Sequence, residues 1–341
     1  MCFLYPWQMS ENSHKPIRAF LTTEMAGGLA LVVACAIAIT LANSPVAQGY
    51  EDFFHPLHAF ISEGLMSIFF FLVGLEIKRE FLEGELRNPR VALLPVMAAL
   101  GGMILPAFIY WAFNHQLVSG NGWAIPMPTD IALSLGALAL LGSRIDTSLK
   151  IFLLTLAIAD DLGSIIVLGV FYSGGISPIR IASTIGAVGI AWIIPLGKKL
   201  PISKLIDLIH PWTSFLIIPI FVLANVGIVI EMSSLGSVLS SPVAKGIIIG
   251  RVVGKIVGIT LFAYIAVKLR IAVLPRSLNF KEISGAGALA GMGLTVSLFI
   301  ADLATNDSQM LTEVKVGLII AAIISALLGL VILRKYSVAQ D

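Results

Sequence analysis

The chain has 341 residues, 57% of them hydrophobic and 12% charged, with a mean hydropathy of +0.96 and a formal net charge of +2. That composition excludes an ordinary soluble domain and marks an integral membrane protein, while the small net charge and the lack of a basic run give no basis for a nucleic-acid partner. Cys2 and Cys35 are the only cysteines, so neither a disulfide framework nor a thiolate metal site is expected. In the opening stretch MCFLYPWQMSENSHK, apolar residues precede any positive charge and no small-residue cleavage pattern follows, so no signal peptide is expected.

Apolar runs of spanning length fall at about Phe20 to Ala42, Phe60 to Leu75, Val91 to Phe113, Trp123 to Leu141 and Leu149 to Phe171. Further runs fall at about Ile181 to Leu196, Trp212 to Ile230, Val243 to Val267, Ile283 to Ala304 and Val316 to Leu333. The expected fold is an all-α integral membrane protein of about ten transmembrane helices, with residues 1–341 as one membrane domain. Of the 22 lysines and arginines, all but Arg180, Lys245, Lys315, Arg251 and Lys255 lie in alternate connections or before the first span, and those alternate connections therefore face the cytoplasm. Both termini are expected on that side.

Within Leu149 to Phe171, the adjacent carboxylates Asp160 and Asp161 interrupt an otherwise apolar helix. An aspartate at a helix centre costs about 2.5 to 3.5 kcal/mol on an insertion scale, so an uncompensated pair invites a functional reading over a solvated step at the membrane surface. Upstream, Pro126 and Pro128 each remove a backbone donor and clash with the preceding turn, which breaks the span Trp123 to Leu141. Asp130 follows at the amino-terminal end of the second half-helix, where the positive dipole end favours an anion; a simple proline kink with an Asp cap is the plainer alternative. A second interruption falls at Gly285, Gly287, Gly291 and Gly293, where small residues mark either close packing or a break. Two interruptions in separate halves point to a secondary transporter of inverted repeats with a site near the midplane.

Lys255 lies about twelve residues from either end of its span, too deep to snorkel easily, and should have a carboxylate partner, structural or functional, or be neutral; Asp160, at similar depth, is the expected partner. Arg251, one turn nearer the outside, reads as a snorkelling or interface residue. Glu76 ends the second span among compensating charges and reads as a solvated face or a polar ion entrance. His210-Pro211-Trp212 opens a span and reads as structural, and Asp302, near the outer end of its span, is expected to be solvated.

Several segments then resemble the NhaA family of sodium/proton antiporters: FLVGLEIKRE from Phe71 to Glu80, GWAIPMPTDI from Gly122 to Ile131, LLGSR from Leu140 to Arg144, and LKIFLLTLAIADDLG from Leu149 to Gly163. HPW from His210, VGK from Val253 and GMGLTVSLFIA from Gly291 to Ala301 match as well, so the resemblance extends over nearly the whole chain. It implies that Asp161 is like the principal ion-binding carboxylate, Asp130 like the acidic residue of the first broken helix, and Thr129 like a supporting residue beside it. Asp160 and Lys255 resemble the family's buried ion pair, and Glu76 the acidic residue at its cytoplasmic funnel. The implied activity is electrogenic extrusion of Na+ or Li+ in exchange for protons across a bacterial inner membrane, serving pH and sodium homeostasis, with no enzyme activity and no cofactor beyond the transported ions.

Two departures stand out. Between Asp161 and His210 the family has three spans and this chain has room for one, so two spans are missing between about residues 173 and 200, a loss that preserves the sidedness of every later helix. The connection from Asn43 to His58 is short for the hairpin through which family members associate, which counts against the implied homodimer. The acidic pH-sensing neighbourhood before His210 is also altered, with Ile206 and Asp207 near where an acid-histidine pair would stand. An intramembrane aspartyl protease would also put two aspartates in spans, but it wants one of them after a Gly-x-Gly motif and Asp160 follows Ala159, which counts against that reading. A degenerate member that keeps the fold without transporting is the remaining alternative. In the transporting reading, hard oxygens of Asp161 and Asp130 bind sodium, with freed backbone carbonyls and water completing the shell.

Overall fold

A computed structural model describes residues 14–142, 145–172, 178–195, 201–229, 233 and 235–337. Cys2, Arg144, Lys198, Lys199 and parts of the connection between residues 173 and 200 lie outside the described residues. All regular structure among those described is helical.

Seven helices are long and apolar enough to cross a membrane, and an eighth span is formed if the bent pair Phe280–Ala290 and Thr295–Ala304 counts as one. They begin with α1 (His14–Ala42), continue through a short α2 (Ala47–Phe54), and reach α3 (Met66–Leu82) by way of a π-wound turn, Phe60–Leu65. α4 (Pro89–Asn114) follows. The two remaining expected spans are shorter elements. Between residues 123 and 141 the α-helix covers only α5 (Ile131–Ala139), because the prolines leave the chain before it non-helical, and α7 (Pro178–Ile193) is 16 residues long. Between them stands α6 (Thr147–Phe171), capped by the Asp146 side chain, which accepts from the Ser148 N–H at 2.7 Å.

The run expected to start at Trp212 begins ten residues earlier. α8 (Ile202–Trp212), a π-wound stretch Thr213–Ile217 and α9 (Ile218–Val226) make one helix, so His210-Pro211-Trp212 lies inside a span and not at its start. Ile202, Ile206 and His210 are buried at intervals of four, while Ser203, Lys204 and Asp207 on the other face are exposed or half-buried, and those polar residues hid the first half from a count of apolar runs. α10 (Leu235–Ser240) precedes α11 (Pro242–Ile249), which passes through the π-wound stretch Gly250–Gly254 into α12 (Lys255–Lys268). α13 (Phe280–Ala290), α14 (Thr295–Ala304) and α15 (Ser308–Tyr336) complete the described chain.

Packing between α4 and α12 is the closest of the long helices. A Cβ on Gly101 would run into the Gly258 carbonyl, and one on Gly258 into that of Gly101, so the two backbones touch at a point that admits only glycine. α1, by contrast, turns Val32, Val33 and Ile37 outward, and α15 does the same with Ile323, Leu327 and Val331. The α15 window has a mean hydropathy of 3.0 yet is only 39% buried, as expected where lipid, not protein, covers an apolar face.

Candidate functional site

The first break is built by its prolines. With no N–H at Pro126 or Pro128, the chain turns by hydrogen bonds from the Ile125 N–H to the Gly122 carbonyl (2.9 Å) and from Met127 to Ala124 (3.1 Å), then runs extended to Asp130. Asp130 caps α5, its Oδ1 accepting from the Leu133 N–H at 3.2 Å. At the second break α13 ends in turns closed by Gly291 and Met292, and the helix resumes at Thr295 with a bend of 53°. The interruption falls at Gly291 and Gly293, while Gly285 and Gly287, expected to share it, lie inside α13.

The two breaks meet. The Asp130 N–H donates to the Met292 carbonyl at 3.3 Å, the Thr295 hydroxyl donates to Asp130 Oδ2 at 3.0 Å, and the Ser134 hydroxyl donates to the Leu289 carbonyl at 2.9 Å. Asp130 is therefore a helix cap and also the residue on which the two interruptions close.

α6 brings its pair to this crossing. Adjacent residues on a helix point about 100° apart, and the two carboxylates accordingly have different surroundings. Asp160 Oδ2 accepts from Lys255 Nζ at 2.9 Å, with both side chains 0% exposed, and the same ammonium donates to Thr129 Oγ1 at 2.9 Å. Asp161 instead faces a cavity of about 40 Å³ whose walls include Glu76, Thr129, Asp130 and Thr295, a volume that holds one or two water-sized occupants. Four carboxylates line this space, Glu24 from α1, Glu76 from α3, Asp130 from the first break and Asp161 from α6, beside the hydroxyls of Thr129, Thr213, Ser214 and Thr295.

Glu76 is buried at 6% exposure in the wall of the cavity, which removes the solvated reading. Glu24 and His210 also line it and share a buried hydrogen bond, so an acid-histidine pair does exist, with its acid 186 residues away on α1. An acidic residue inside the first apolar run was the signal available. Asp302 is half-buried, its side chain 12% exposed at the wall of a cavity of about 460 Å³ and 4.0 Å from His58 Nε2. Arg251 is not a snorkelling residue, for its side chain is fully buried and hydrogen-bonded to both breaks.

The chain matches the family model described as "Na+/H+ antiporter 1" in two pieces, residues 18–195 and 179–333. The Na(+)/H(+) antiporter NhaA of Shewanella sp. strain MR-7 is 40% identical over 381 aligned positions that take in 94% of this chain and 98% of that protein. The corresponding protein of strain MR-4 is 40% identical and that of Shewanella oneidensis 39%, with the same coverage. With most of the chain inside the family model and this identity along nearly its whole length, the protein belongs to the Na+/H+ antiporter family to which these NhaA proteins belong.

Proposed function

We propose that this protein is a secondary, electrogenic Na+/H+ antiporter in which sodium and protons compete for the carboxylates of Asp161 and Asp130. The observation that carries the reading is the buried cavity at the crossing of the two breaks, lined by Asp161, Asp130, Glu76, Thr129 and Thr295. Burial disfavours the charged form of a carboxylate and a bound cation favours it, so a proton and a sodium ion exclude each other from such a site. Protons arriving from outside neutralise the carboxylates, the interrupted spans rock inward, and release into a more alkaline cytoplasm lets sodium bind and leave. If more protons enter than sodium ions leave, the membrane potential helps to drive the cycle. Asp161 is the principal shared ligand because Asp160 is taken by Lys255; Asp130 completes the acidic set, Thr129 ties the first break to Lys255, and Glu76 lies on the path of entry.

The same reading extends to lithium as an alternative cargo, to a bacterial inner membrane with both termini cytoplasmic, and to a ten-span chain that has lost two family spans between about residues 173 and 200. In support of the loss, the 381 aligned positions exceed the 341 residues of this chain, and the two family matches overlap within residues 179–195. A homodimer, if formed, has to do without an extended hairpin at residues 43–58.

Reconstituted protein in proteoliposomes tests this. Sodium should release protons in unmodified protein, with apparent sodium affinity rising with pH until the site is deprotonated, and Asp161→Asn should reduce exchange to background in folded protein. Sodium-dependent proton movement that survives Asp161→Asn would refute the assignment, and no exchange in the unmodified protein would favour a degenerate carrier.

A further inference from the structure

An arginine keeps its charge wherever it stands in a protein, so a buried one needs acceptors around it; for Arg251 the two terminal nitrogens find them and Nε does not. Arg251 sits in the π-wound stretch Gly250–Gly254, a widening of the kind found at functional sites, with its side chain 0% exposed. Its guanidinium donates to the carbonyls of Pro128 (3.0 Å), Ile125 (3.4 Å) and Gly291 (3.1 Å) and to the Ser297 hydroxyl. None of these four acceptors is a carboxylate. Two come from the first break and two from the second, so one cation bridges both.

Neutral oxygens freed by unwound backbone and half-helix ends are the donors with which broken-helix transporters hold sodium. Three such carbonyls and the Ser297 hydroxyl converging inside protein without a positive partner would be costly, since each is withdrawn from water. None of the four belongs to a residue that lines the carboxylate cavity. The cluster is thus a second cation environment beside the first, and the chain fills it with its own side chain. Gly293 is shaped to this arrangement: a Cβ there would strike the guanidinium and the Pro128 carbonyl together.

We propose that Arg251 is a tethered cation whose guanidinium fills an oxygen cage between the two breaks, denying that cage to sodium and confining the transported ion to the cavity of Asp130 and Asp161. The proposal rests on the reading of that cavity as the sodium and proton site, and it changes the expected ion shell, because the carbonyls at the crossing are occupied.

The test is calorimetric titration of the purified full-length chain with sodium, in two buffers of different ionisation heat so that bound sodium and released protons are counted together. Unmodified protein should bind one sodium with proton release. Arg251→Ala should bind two, the second without proton release because carbonyl and hydroxyl oxygens give up no proton, and Arg251→Lys, which keeps a cation in the cage, should bind one. Folded Arg251→Ala that binds a single sodium overturns the proposal. If Arg251→Ala folds only when sodium or guanidinium is supplied and Arg251→Lys folds without either, the cage needs a cation and the proposal stands; loss of both variants whatever cation is added overturns it. In Arg251→Ala/Asp161→Asn the proton-releasing event should vanish and the silent one remain. Persistence of the proton-releasing event there would count against the carboxylate site and not against the cage.

Discussion

Lys255 at full burial divides its donors between Asp160 and Thr129, which makes the ion pair part of the first break as well as a brace between α6 and α12. Removing one partner of a buried pair leaves an uncompensated charge, at a cost of about 3 to 5 kcal/mol. Asp160→Asn should therefore lower the melting temperature of the detergent-solubilised protein by that much stability, and Asp160→Asn/Lys255→Gln should recover part of it. Additive losses in that cycle would show the two to be uncoupled. The pair was legible in the sequence because each charge is too expensive to stand alone at its depth. Arg251 was not, since position along a helix gives depth but says nothing about which neighbouring backbone covers the side chain. Glu24 and His210 were missed for a related reason: 186 residues separate them, and no local pattern ties an acid in α1 to an imidazole in α8.

Interruptions of helices were readable where chemistry forces them. Pro126 and Pro128 remove donors outright, whereas of the glycines from 285 to 293 only Gly291 and Gly293 fall at the break, Gly285 and Gly287 lying within α13, and the break meets Asp130 across the crossing. Close approach of intact helices left a weaker mark. Gly101 and Gly258 are ordinary small residues in the sequence, yet their backbones touch where α4 crosses α12, one turn beyond Lys255. Gly258→Ala should push α12 away from α4, costing about 1 to 3 kcal/mol of overpacking, and should raise the apparent KM for sodium by displacing Lys255 from Asp160. A melting curve and a KM both equal to those of the unmodified protein would show that the helices tolerate a methyl at this crossing. Lys78 is another case, counted in sequence as a cytoplasmic charge but buried in the structure, where its ammonium donates to the carbonyls of Ala191 (3.3 Å), Trp192 (2.8 Å) and Ile194 (2.9 Å) at the end of α7. Lys78→Met should loosen α7 and lower stability by about 1.5 to 3 kcal/mol, the worth of hydrogen bonds to a charged group, with no change in the melting transition counting against the anchor.

On the scale of the whole molecule, everything after residue 173 depends on whether α7 crosses the membrane. Sixteen residues give about 24 Å of helix at 1.5 Å per residue, short of a hydrocarbon core of about 30 Å. A short span is accommodated by local thinning and by flanking anchors, at a modest cost. α7 has such an anchor at one end: Lys78 and the Phe81–Trp192 ring contact, with centroids 6.0 Å apart, hold its carboxy-terminal end level with that of α3. Since α3 ends beside the charges Arg79 and Arg87, α7 should run from the outside to the cytoplasm, and every later span keeps the sidedness that the lysines and arginines require. Single cysteines in a background lacking Cys2 and Cys35 check this directly. Those at Ser119 and Ser308 should react with an impermeant maleimide from outside only, and one at Ser203 from inside only. If α7 lay along the surface or turned back, the parity of the chain would reverse after it, so that Ser203 labelled from outside and Ser308 from inside while Ser119 stayed outside.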